Sequence, residues 1–451
     1  MPATAPPLPT FLTATPDPDP SNWFHHTRTK ALERAQTLGL PDRRNEDYRF
    51  TDLAALNQTD FVHPTDATHE GVTDEEMARF RLSDLPQRRM VFVDGRYHAR
   101  LSDAMDDLPE GVTLCRISEA LDDPSPRVRG VLEKHLGHQT LNSHDAFIAH
   151  NHAKFDDGFF LHVPPGVQLG RPLYVVSLST GRAPAYVAHT RNLVVAEDVA
   201  LATVVERFVS LNDEAVYFNN AVTELVADTD ATLHHYLLEQ ESEAAFNMSA
   251  LITRQHTRSN VHSHTVLLGG RVCRNSVVPV LTGERAHCLI NGLYVGHGEQ
   301  VLDNAMIVVH AAEACESRQF YKGILNDQSR GNFAGRIKVL EAGQQTDAVQ
   351  SNRSMLLSDD ARAIARPQLE IYADDVKCTH GCTTGEVDPD AVFYFKSRGI
   401  PEETARAMLI FAFAAEAYDR MELIPVRKLL AREMIKKLPG AETLSIEINE
   451  D

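Results

Sequence analysis

The stretch VKCTHGCTTG, residues 376–385, places Cys378, His380 and Cys382 at alternate positions of one short segment. Thiolate and imidazole are the ligands that zinc and iron–sulfur centres prefer. If the segment is extended, alternate side chains leave one face of the strand, so the three present together. They supply three ligands at most, one fewer than a closed structural zinc site. Same-face side chains on a straight strand also run parallel instead of converging. The spacing is not a CxxC knuckle, although Gly381 and Gly385 can bend the chain. From the residues alone two readings stand: a metal or cluster site, or half-exposed thiols that bind nothing.

Other chemistry-bearing residues are weaker signals. The 21 histidines include the groupings His150/His152, His234/His235, His262/His264 and His287/His297. His262 and His264 share a face on a strand, so stacked strands would build a ladder of imidazoles; histidines on a solvated face are the plainer reading. The carboxylate pairs Asp359/Asp360 and Asp374/Asp375 suit calcium or acid–base work, as in β-helical carbohydrate-cleaving enzymes, and equally suit exposed turns. Nucleophile elbows, P-loops and dinucleotide fingerprints are absent from the sequence. The glycines of GLYVGHGEQ lack the strand–turn–helix setting and the lysine of a phosphate cradle.

Composition narrows the classes. With 44 Lys and Arg against 63 Asp and Glu, the formal charge is −19, which argues against nucleic acid or an anionic membrane surface as partner. Hydrophobic content of 43% in 451 residues is ample for a packed core in two or three domains. Cys115, Cys273, Cys288 and Cys315 are scattered, as expected of free thiols in a reducing compartment and not of a disulfide framework. No apolar run is long enough to span a bilayer, and the start has neither a basic nor an apolar signal region, so a cytoplasmic protein is expected.

The elements that must position the candidate residues follow from periodicity. Residues 1–20 read as a flexible Pro-rich arm. Residues 21–135 mix helical segments (SNWFHHTRTKALERAQTLGL, DEEMARFRL, ISEALDD) with the strand-like RRMVFVDGRY, which predicts a helical or α+β domain. Over 136–385 short alternating runs such as PLYVVSL, RNLVVAE, NVHSHTVLL and QLEIYA replace helical periodicity, which predicts a large all-β unit. Small or polar residues open strands at Ala231, Asn260, Ala286 and Ala314, at intervals of 29, 26 and 28. That period fits one coil of a parallel β-helix, with a sandwich left as the alternative. Residues 386–451 read as helices again. Asp388 and Pro389 start one that stops at Gly399, and Pro401 opens another with Ala405, Met408, Leu409, Ala412 and Ala415 on one face. Pro425 begins a third.

Residues 346–400, with LLSDDA, PQLEIYADDVKC and the HG that precedes VFYFKSRGI, resemble the SufB/SufD family of iron–sulfur cluster assembly proteins, on its SufD side. DGFFLHVPPGVQLGRPLYVVSLS, HTRNLVVAEDVALATVVERF and NEDYRFTDL extend the resemblance over nearly the whole chain beyond the arm. It implies a right-handed parallel β-helix core between N-terminal and C-terminal helical domains. It implies a scaffold subunit, not an enzyme, that forms a heterodimer with SufB and binds the SufC ABC-type ATPase through helices within Asp388–Leu438. It further implies His380 as a ligand of a transient iron–sulfur cluster or iron at the SufB interface, with Cys378 beside it and no tightly bound cofactor in the isolated chain. A partner subunit would then supply the ligands this strand lacks. Asn352 and Arg353 stand where SufB would carry a cysteine, and Cys382 departs from the alanine usual in the family. Whether the isolated chain forms a homodimer is left open. The alternatives are a β-helical carbohydrate-active enzyme and a stand-alone metal protein using Cys378, His380 and Cys382. If the helices after Asp388 are only a docking module, their removal leaves the β-helix folded.

Overall fold

The computed structural model describes residues 10–441 and 444, apart from 14–18, 21, 65–70, 83–84, 106, 139, 141–142 and 183. Sixteen strands, from Phe159–Val163 to Val376–Gly385, alternate between two sheets, so each of eight coils gives one strand to each sheet. Successive coils pair in parallel. Thr232, Asn260, His287, Glu316, Asp347 and Lys377 stack in register at intervals of 28, 27, 29, 31 and 30 residues. This is the solenoid, and not the sandwich.

The period read from the sequence is right but its register slips. The strand-opening residues that stack are Ala231, Ser259, Ala286 and Cys315, all buried. Asn260 lies one residue after that column and Ala314 one before it. Ala314 belongs instead to the preceding corner, where Asp230, Arg258, Arg285 and Ala314 all have φ between 54° and 59°. A repeated left-handed residue turns the chain there, and the small residue after it fits inside the corner. Sequence spacing alone does not separate these adjacent columns.

The two ends of the solenoid differ. At the first end, Arg88–Val93 adds in parallel to Leu173–Ser179 and is itself covered by Arg96–Tyr97, while Thr113–Arg116 pairs antiparallel with Phe159–Val163. The hairpin of RRMVFVDGRY turns at Asp94 and Gly95, both at positive φ, as a tight two-residue turn requires. At the other end, Arg362–Ile371 and Val376–Gly385 each close a sheet, and among the described residues no strand lies beyond them. Burial follows the same gradient. Every residue of Val187–Ala196 is buried, whereas none of Val376–Gly385 is. An unpaired strand edge of this length is a template for another chain unless it is blunted or covered.

Helices cover the outer faces. Ala146–Lys154, buried at all nine positions, lies on one sheet, and its Asn151 donates to the Thr190 and Asn220 carbonyls at 2.7 and 2.9 Å. The fully buried Arg191–Glu224 pair ties this region to the solenoid, with Arg191 also donating to Asn151 at 3.1 Å. NEDYRFTDL runs as a strap across successive coils of that sheet. Arg274 sits over the Tyr48 ring at 4.0 Å, Thr51 bonds Asp303, and Asn332 donates to the Phe50 carbonyl at 3.1 Å. Of the Pro-rich arm, residues 1–9 and 14–18 lie outside the described residues. Between them Thr10–Thr13 is a helical turn whose Phe11 is buried against Phe61, Phe147 and Phe218.

The other sheet carries the C-terminal helices Pro389–Ser397, Glu402–Tyr418 and Ile424–Lys437. In the middle helix Ala405 is buried as expected, but the buried face continues through Ala407, Ile410, Ala414, Ala417 and Tyr418 instead of through Met408, Leu409, Ala412 and Ala415. Met408 and Ala412 are exposed, and Leu409 and Ala415 half-buried. AMLIFAFAA is apolar all round, so periodicity does not select a face; close docking selects the stripe of small residues. These helices share one core with Tyr236, Leu238, Val266, Leu293 and Ile324 of the solenoid. Removing them would bare that apolar face, which argues against a solenoid that stands without them.

Candidate metal centre on the terminal strand

In the terminal strand Val376–Gly385, Cys378 lies beside Ala348, His380 beside Gln350 and Cys382 beside Asn352 of Thr346–Leu356. Ala348, Gln350 and Asn352 are buried, while Val349 between them and Arg353 beyond them are exposed. The three candidate ligands therefore occupy the inward-facing positions of the last coil. Cys378 packs with Ile337, Val339, Ala348 and Ala373, and Cys382 against the main interior core. His380 is exposed. On the coil beside it Gln350 donates to Gln319 at 2.9 Å, a buried amide pair that meets Ile290 on the next coil inward.

Burial raises both thiol pKa values, with Asp347 pushing Cys378 further up. In the chain as it stands both sulfurs are therefore protonated at neutral pH, and a bound cation would have to displace those protons. The three ligand atoms do not converge. Among the described residues, the sets of three or more whose ligand atoms lie within 4.8 Å of one another are His234/His262/Glu422 and Glu239/Glu241/Cys273. The terminal strand thus offers a partial ligand set at an open end, which a second chain can complete.

The remaining candidates separate cleanly. Asp359/Asp360 and Asp374/Asp375 are exposed residues in the connections between strands, and Asp360 lines an open cleft with Asp52, Arg271, Glu299, Arg330 and Arg362. His150 and His152 lie on the buried helix Ala146–Lys154, and burial lowers the pKa of both. His234 and His262, read from sequence as members of two different pairs, are register partners on adjacent coils. The signal was present as their separation of 28 residues, one coil, but only the fold says that a coil is 28 residues there. Among the described residues no helix is long and apolar enough to cross a membrane.

Known proteins resemble the chain along its length. Residues 179–413 match the family described as SUF system FeS cluster assembly, SufBD core domain, and residues 17–175 match the SufBD protein N-terminal region. The iron–sulfur cluster assembly protein SufD of Escherichia coli is 31% identical over 411 residues, covering 91% of this chain and 92% of the relative. SufD of Bacillus subtilis is 27% identical, covering 92% and 94%. A chloroplastic protein of Arabidopsis thaliana, ABCI7, is 30% identical, covering 93% and 87%. The chain belongs to the SufB/SufD family of iron–sulfur cluster assembly proteins, on its SufD side.

Proposed function

We propose that this chain is a non-enzymatic scaffold subunit of a cytoplasmic iron–sulfur assembly complex. It pairs with SufB through the open end of its solenoid and presents His380 and Cys378 to a nascent cluster at that joint. The cluster is cargo, held in part by this strand and in part by the partner, and then passed on. The observation that carries the reading is the asymmetry of the fold. One end of the solenoid is capped, and among the described residues the other has no strand beyond its two last ones, with Cys378, His380 and Cys382 on one of them. Exposed aromatic residues Phe393 and Tyr394 on Pro389–Ser397 support the companion reading, that the SufC ATPase docks on the outer surface of the C-terminal helices.

The division of labour follows from exposure. His380, exposed and in register with the buried Gln350–Gln319 amide pair, is positioned to give an imidazole nitrogen to iron. Cys378, half-buried with a raised pKa, becomes a ligand when the joint rearranges or iron displaces its proton. Cys382 leans on the interior core and serves as packing. The test is anaerobic cluster formation by the purified assembly of this chain with SufB and SufC. His380→Ala is expected to cut iron and sulfide per complex severalfold while the three subunits still co-elute. Unchanged cluster content in an intact assembly would remove His380 from the role.

A further inference from the structure

A second ligand set lies far from the terminal strand, where the C-terminal helices meet the solenoid. His234 on Thr232–Gln240 and His262 on Asn260–Leu267 are side by side on adjacent coils, their rings 5.0 Å apart. Glu422, in the short connection between Glu402–Tyr418 and Ile424–Lys437, reaches down onto both. Its Oε2 lies 3.4 Å from His234 Nδ1 and its Oε1 3.2 Å from His262 Nδ1. The contact from His262 Nδ1 is within hydrogen-bond distance, and one ligand atom from each of the three residues lies within 4.8 Å of the others, close to the about 3.4 Å between two ligands of a tetrahedral ion. His234 Nδ1 is buried and makes no hydrogen bond, so the carboxylate beside it does not satisfy it. We propose that His234, His262 and Glu422 form a binding site for a divalent first-row transition metal of the zinc or ferrous class.

The frame holding the three residues is fixed without an ion. Leu423 donates its backbone N–H to the Tyr236 hydroxyl at 3.3 Å, and Met421 is buried beside it, so Glu422 is held by both of its neighbours. Tyr236 in turn stacks on His264 at 4.9 Å. The imidazole side chains are 11% and 20% exposed and the carboxylate 57%, which leaves an approach from solvent on the Glu422 side. Burial lowers both imidazole pKa values, favouring the neutral ring that ligates metal. Two histidines and one carboxylate leave coordination positions for water, so the site is open in kind. Since Glu422 comes from the helical layer and the histidines from the solenoid, an ion there staples the two layers together. This inference stands independently of the terminal strand.

The test uses the full chain, stripped with chelator and titrated with Co2+ alone. Wild type is expected to bind one Co2+ in a visible spectrum without sulfur-to-cobalt charge transfer, and to melt at a higher temperature when loaded. Glu422→Gln and His262→Ala should weaken binding by more than the about 10–100-fold that loss of an outer-shell partner costs. Because Glu422 is the most exposed of the three, Glu422→Gln folds even if a histidine variant does not. His380→Ala and Cys378→Ser should leave this binding unchanged. No stoichiometric binding by wild type, a thiolate spectrum, or Glu422→Gln binding as wild type does would each overturn the assignment.

Discussion

At the scale of single residues, histidines in this chain divide by what surrounds them. His380 is free to meet a partner, whereas His310 is sealed in the interior, its Nε2 2.9 Å from the Ser317 hydroxyl. Burial pushes the His310 pKa down from 6.5 to about 4, with Arg318 adding to the effect. A depressed imidazole pKa means that the unfolded chain takes up the proton first. Its contribution is whole above pH 6.5 and is lost as pH falls toward about 4, to about 3 kcal/mol for that one group. His150 is lowered to about 4 and His189 to about 3 by the same cause, so the falls accumulate. Urea midpoints measured from pH 7 to pH 4.5 are therefore expected to drop steeply, and His310→Gln to drop less steeply than wild type. Parallel curves for the two proteins would refute the burial argument. The residues CTHGC were legible as candidate ligands from type and spacing. Their failure to converge was legible too, because strand geometry alone sets side-chain directions.

At the scale of elements, the terminal strands and the C-terminal helices make different predictions. Tyr372, 62% exposed at the end of Arg362–Ile371, lies on the uncovered edge of the last coil. Tyr372→Asp puts a charge where a partner's edge would pair, so co-elution with SufB is expected to fail while the melting temperature stays within a degree or two. Retained pairing would move the joint elsewhere. On Pro389–Ser397, Phe393 is 72% exposed. Phe393→Asp is expected to weaken ATPase capture by tenfold or more without altering the SufB joint, and equal capture would exclude that face. The helices themselves were readable from Asp388, Pro389, Pro401 and Pro425, which are strong boundary signals. The buried face of the middle helix was not, because AMLIFAFAA has no polar side to mark the outside. The coil period was also readable, but not the column of left-handed corner residues that fixes its register.

At the scale of the whole molecule, one solenoid is fastened on both flanks and, among the described residues, has no strand beyond the last coil at one end. The strap of NEDYRFTDL and the buried Arg274–Asp303 pair hold one outer face. On the other, Lys322 ion-pairs Glu416 and donates to the Phe413 carbonyl at 3.0 Å, anchoring the helical layer. These long-range fastenings join residues tens to hundreds of positions apart, so no local pattern announces them. The open end is what a two-chain cluster site requires, and it is the central claim. The measurement that tests it most directly is anaerobic capture of the tagged chain from a lysate of its own cells, with co-purifying polypeptides identified and iron and sulfide counted. Recovery with a SufB-type paralogue and an ABC-type ATPase is expected, carrying iron and sulfide that His380→Ala loses. Recovery of the chain alone, without those partners and without sulfide, would contradict it.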